Sequence, residues 1–132
     1  MKIGINALYL LPGKVGGSET YLRNLVKGLA AANKENDYVL FVNRETEGVI
    51  ASLSANVHIA VCPVTARNRP ERILWEQCGL PRYLKRHKID ILLSAGMTAP
   101  FFCPIPSVLV LHDLQHVNQP RNYPLHYLLI LR

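Results

Sequence analysis

The sequence predicts an α/β protein built on a doubly wound parallel sheet, and three observations lead there. Five short apolar runs, each the length of a strand, recur along the chain. Several are rich in β-branched residues and apolar on both faces, as strands covered on two sides require. Between them lie segments whose apolar residues repeat at helical spacing. Strands alternating with helices mean βαβ units with right-handed crossovers, the Rossmann-like arrangement.

Taken in order, "KIGINAL" (2–8) is the first strand. The helix that follows runs from Ser18 to Ala32, with Leu22, Leu25, Val26 and Leu29 on one face. Ser18 is its expected N-cap, and Glu19 sits in the first turn, where the helix dipole favours an acid. "YVLFVN" (38–43) is the second strand, followed by a short helix around Glu45–Leu53, and "VHIAV" (57–61) is the third. From Pro70 to His87, Ile73, Leu74, Gln77 and Leu80 trace a weaker stripe, which Pro81 interrupts after Gly79. "DILLS" (90–94) and "SVLVLH" (107–112) complete the sheet. The intervening "SAGMTAPFFCPIP" (94–106) reads as a rigid, partly buried loop, with Met97, Phe101 and Phe102 as core or interface residues.

At 132 residues the chain is one domain, large enough for a core but small for an enzyme that binds two substrates. The apolar end "YPLHYLLILR" has no capping residue, so a longer protein is expected. There is no signal-peptide pattern, and no window approaches the roughly 18 apolar residues that cross a bilayer. Cys62, Cys78 and Cys103 are odd in number and widely spaced, which fits reduced, buried thiols of a cytoplasmic protein. The net charge of +6 is concentrated. Between Pro63 and Asp90, seven Lys or Arg face three acids, a net +4. That segment is either a solvated helix face or a patch for an anionic substrate or anionic lipid. Without interleaved aromatics or a helix-turn-helix pattern, nucleic acid is not an expected partner.

In a sheet of this kind ligands collect beyond the carboxyl ends of the strands. Gly16 and Gly17 lie there, directly before a helix start. Their backbone can approach a ligand closely and point N–H groups at an anion, or they form a plain turn. "GKVGG" is not G-x-G-x-x-G, no G-x-x-x-x-G-K-[ST] occurs, and the second strand ends in Asn43–Arg44 rather than in an acid for a ribose. These absences disfavour a dinucleotide oxidoreductase and a P-loop NTPase. "HDLQH" (112–116) follows the fifth strand, and His112 and Asp113 should face the crevice. An imidazole there can bond a sugar hydroxyl or handle a proton. As metal ligands, His112, Asp113 and His116 lack a helical scaffold and a further partner. His58, His87 and His126 have no partner pattern, and no Gly-x-Ser-x-Gly or Cys/His nucleophile signature is present.

In sequence, "KIGINALYLLPGKVGGSETYLRNLVKGLA", "ILWEQCGLPRYLKRHKIDILLSAGMTAPF" and "PSVLVLHDLQHVNQPRNYP" resemble the N-terminal domain of family-4 glycosyltransferases of the GT-B fold. Mannosyltransferase-like bacterial members are the nearest in character. The resemblance implies an acceptor-side half that transfers sugar from a nucleotide-sugar donor to a glycan or lipid-linked acceptor, with retention and no catalytic metal. Most donor contacts would come from a C-terminal domain outside this chain, so the chain alone is expected to be inactive. By resemblance Gly16 and Gly17 approach the donor diphosphate or the reacting sugar. His112 contacts the transferred sugar, and Asp113 occupies a motif position beside it. With a lipid-linked acceptor, the basic segment 67–88 would meet the inner face of a membrane. The alternative is a non-catalytic α/β module that binds a nucleotide or phosphorylated ligand in the same crevice.

Overall fold

A computed structural model describes residues 1–48 and 54–112. Five parallel strands form one sheet in the order β3-β2-β1-β4-β5. They are β1 (Lys2–Asn6), β2 (Asp37–Val42), β3 (Val57–Val61), β4 (Ile91–Ser94) and β5 (Ser107–Leu109). The helices are α1 (Gly17–Ala32), α2 (Arg69–Cys78) and α3 (Leu80–Arg86). The fold is the expected mixed α/β half with an all-parallel sheet. β1 is central, paired with β2 from Lys2↔Asp37 to Asn6↔Phe41 and with β4 from Ile3↔Ile91 to Asn6↔Ser94. Strand order therefore reverses at β1, and a crevice opens where β1 and β4 diverge.

The pleat of β2 divides the core. Tyr38, Leu40 and Val42 join Ile5, Leu22, Val26 and Ala30 on the α1 face. Val39 and Phe41 point the other way, to Leu80, Leu84, Ile89 and Leu92. This two-residue alternation in a strand buried on both faces is what a continuous apolar run becomes in a covered sheet. β3, at the sheet edge, is less covered, with Ile59 and Val61 exposed. Of the helical face expected on α1, Leu22 and Val26 are buried and Leu25 and Leu29 half-buried, with Ala30 as the third buried position.

Four expectations are corrected. Ser18 is not the N-cap: α1 starts at Gly17 with Gly16 in the cap position and no side-chain cap. The buried stripe of α2 is not Ile73–Leu74–Gln77; Leu74 is 66% exposed, and Arg72 and Glu76 are the residues turned inward. An internal ion pair lets a polar face occupy the core side, which hydrophobic periodicity cannot register. Phe101 and Phe102 are each 84% exposed rather than core, packed edge-to-face on one another at 4.9 Å. Cys78 is exposed, whereas Cys62 is buried, its thiol pushed up to about 12 by loss of solvent. The break before Pro81 stands, because α2 closes at Gly79 and Pro81 opens α3. Of the helix expected around 45–53, the structure shows a single 3₁₀ turn, Arg44–Thr46; residues 49–53 lie outside the described residues.

Candidate active site

A cleft of about 380 Å³ sits at the carboxyl ends of β1 and β4. The loop after β1 supplies Tyr9, Leu11 and Val15. The approach to α2 supplies Ala66, Arg69 and Arg72, and the loop after β4 supplies Gly96, Met97 and Thr98.

The β1–α1 loop is built by polar groups beneath it. Asn43, fully buried at the end of β2, donates through Nδ2 to the carbonyls of Leu8 (2.9 Å) and Leu10 (2.6 Å). Its Oδ1 accepts from the N–H (3.0 Å) and hydroxyl (2.8 Å) of Thr46. The residue that argued against a ribose-binding acid is thus the brace of the loop. Glu19 acts from the other side: its carboxylate accepts the Gly13 N–H at 2.9 Å and the Arg23 guanidinium at 2.9 Å. The Gly13 N–H, then Arg23, hold its pKa below the ordinary carboxylate value.

Gly16 has φ +51°, a conformation costly to any residue with a Cβ, whereas Gly17 is free of that demand. A Cβ on either would meet nothing within 4 Å, so both present bare backbone to open space. The N–H groups of Ser18, Glu19 and Thr20 are already bonded to Val15 and Gly16 carbonyls. Those of Gly16 and Gly17 have no bonded partner among the described residues. The anion-facing surface of this helix start therefore narrows to the two glycines.

Tyr9 forms the floor. Its ring lies so close to Gly96 that a Cβ there would stand 2.0 Å from it, so only glycine permits the contact. Its hydroxyl donates to the Ser18 carbonyl at 3.3 Å. Burial, with smaller contributions from Tyr21 and Glu19, pushes its pKa up to about 12, so it stays a neutral phenol.

On the third wall, Arg72 Nη1 meets Glu76 Oε2 at 2.8 Å, with both side chains nearly inaccessible. The Thr98 hydroxyl donates to the same oxygen at 3.0 Å. Burial pushes the Glu76 carboxyl up and the Arg72 guanidinium down, each resisted by the other's charge. The Asn6 amide also favours ionised Glu76, yet it lies outside bonding geometry and Glu76 Oε1 has no hydrogen-bond partner. Gln77 extends this wall, donating to the Ala99 carbonyl (3.1 Å) and accepting the Phe101 N–H (2.7 Å). Glu45 holds the opposite rim by accepting the Ala66 N–H at 3.0 Å. Sequence reasoning missed Tyr9, Asn43, Arg72, Glu76 and Thr98. Their one visible signal was the Arg72–Glu76 spacing of four, which is commonplace on exposed helices.

β5 ends at Leu109, so His112 lies three residues past the strand it was expected to close. Its ring lies at the end of β4, beside the cleft rather than among its lining residues: Nε2 lies 2.8 Å from the Ala95 carbonyl oxygen, and the Tyr21 ring packs on it edge-to-face at 4.7 Å. Tyr21 stands one turn after Gly17, so the glycine-led helix start and His112 are brought to one end of the sheet. Asp113 and His116 lie outside the described residues. Among the described residues, no three His, Cys, Asp or Glu side chains gather where they could hold a metal ion.

A parallel α/β sheet with its ligand-sized cleft at the β1/β4 reversal defines a Rossmann-like half of the GT-B kind. Residues 15–131 match the model of Glycosyltransferase Family 4, and the chain belongs to that family. It is a glycosyltransferase domain. No curated protein matches the chain.

Proposed function

We propose that this domain is the acceptor-side half of a retaining, nucleotide-sugar-dependent glycosyltransferase acting on a glycan or lipid-linked acceptor. The observation that carries the reading is the convergence of Gly16–Gly17, His112 and the cleft on one end of the sheet in a chain of this family. Glycosyl transfer develops negative charge on the departing diphosphate, and fixed N–H dipoles aimed at that charge lower the barrier. The N–H groups of Gly16 and Gly17 suit that task, while His112 suits the hydroxyls of the transferred sugar. The cleft walled by Tyr9, Met97 and Arg69 takes the acceptor. Residues of a C-terminal domain would complete the donor site, and no metal enters the scheme. The likeness to mannosyltransferase-like members makes a mannosyl nucleotide the first donor to assay.

In the enzyme with both domains, His112→Ala is expected to lower turnover about 100-fold or more. The melting temperature should fall by only a few degrees, through loss of the bond to the Ala95 carbonyl, far less than the loss of turnover. Undiminished transfer by that variant removes His112 from the reaction.

A further inference from the structure

The contact between His112 and Ala95 fixes more than the position of a ring. Leu92 N–H donates to Pro106 O and Val110 N–H to Ser94 O, so residues 92 and 94 face β5. The alternation of a parallel ladder turns Ala95 toward β1, and its N–H points to Asn6 O at 3.5 Å. The next rung would have Leu8 N–H donate to Ala95 O. Instead, Leu8 N–H is taken at 3.2 Å by the side-chain Oδ1 of Asn6. Asn6 thereby ends the β1–β4 pairing and releases a carbonyl of a fully buried residue at the mouth of the crevice. His112 Nε2 fills that position at 2.8 Å.

A carbonyl oxygen only accepts, so Nε2 must carry the proton. In the neutral ring the lone pair is then on Nδ1, which can accept but not donate. We propose that the Ala95 carbonyl and the Tyr21 ring together hold His112 as the Nε2–H tautomer, so that Nδ1 accepts a hydrogen bond from a hydroxyl of the transferred sugar. Tyr21, at 82° to the imidazole and 4.7 Å from it, is a positioning residue: it stops the ring turning over, which would put Cε1 where Nε2 meets the carbonyl and Cδ2 where Nδ1 stands. The sugar-contact half of this proposal rests on the functional reading above; the tautomer half does not. It also carries a specificity rule, since a sugar with hydrogen or fluorine in place of that hydroxyl has no proton to give Nδ1.

The test is imidazole nitrogen NMR on the ¹⁵N-labelled full chain at about pH 8, where an ordinary histidine is neutral. His112→Asn identifies the signals by their loss. Wild type and Tyr21→Phe should show a protonated Nε2 and an unprotonated Nδ1, and Tyr21→Ala should show both nitrogens shifted toward a tautomer average. A protonated Nδ1 in wild type, or a Tyr21→Ala spectrum identical to wild type, overturns the proposal. In the two-domain enzyme Tyr21→Ala should lower kcat about tenfold with KM little changed, and Phe should restore it. If the NMR outcome holds but His112→Ala transfers sugar normally, the sugar contact is overturned and the tautomer stands.

Discussion

At the scale of single residues, the two loop glycines have different duties although they are adjacent. Gly16 carries the positive φ, so its replacement strains the backbone; Gly17 does not, and its missing side chain leaves only open space. Gly16→Ala should therefore destabilise the domain by about 1–3 kcal/mol. Gly17→Ala should unfold at the wild-type denaturant midpoint while weakening donor binding, because its methyl stands where a ligand would approach. Paired urea melts and donor titrations of the two variants check this separation. Equal loss of stability in both would show that Gly17 is as conformationally restricted as its neighbour.

At the scale of elements, α2 is held to the loop after β4 by buried polar groups rather than by an apolar stripe. Glu76→Ala leaves Arg72 as an uncompensated buried charge and should cost about 3–5 kcal/mol. Replacing both, as Arg72→Met with Glu76→Leu, should cost much less than Glu76→Ala alone, since burial already disfavours both charges. A double-mutant cycle by chemical denaturation reads the difference. The strands, α1 and the break at Gly79 were legible in the sequence because each follows from local spacing or from proline chemistry. The inward Arg72–Glu76 pair was not, because its partner Thr98 lies 22 residues beyond Glu76 and only the fold brings them together. The strand-end rule could bring Gly16, Gly17 and His112 to the carboxyl end of the sheet, whereas the Tyr9–Gly96 contact and the Asn43 brace need the fold itself. His112 itself was misplaced in detail: the strand is shorter than its apolar run, since Leu109 and Leu111 are exposed and have no covered face to join.

At the scale of the whole molecule, the basic segment is divided: Arg69 and Arg72 line the cleft, and most of its other cations face solvent. In segment 67–88, Arg72 is neutralised inside the fold, while Arg67, Arg82, Lys85, Arg86 and Lys88 remain exposed. Among the described residues no helix is long and apolar enough to cross a membrane. We propose that this surface supplies an electrostatic contact with anionic bilayer when the acceptor is lipid-linked. Binding to vesicles containing phosphatidylglycerol should be measurable at low salt and fall steeply as salt approaches about 0.5 M, where screening acts over a few ångströms. Equal binding to neutral phosphatidylcholine vesicles, or none to either, overturns the contact.

The central place of β1 has a further consequence for how the molecule comes into being. Its register partner on one side, β2, begins 35 residues along the chain, but its partner on the other, β4, pairs Ile3 with Ile91 across 88. Loop closure over that distance comes late, so β1 spends the early part of synthesis with one edge bare and α1 already able to cover one face. The edge is closed only when β4 arrives, and the same event assembles the crevice. The cleft, lined in part by the loop after β4, therefore cannot form before β4 pairs with β1, and a nascent chain halted before residue 91 would have a partly formed core, an open strand edge and no cleft.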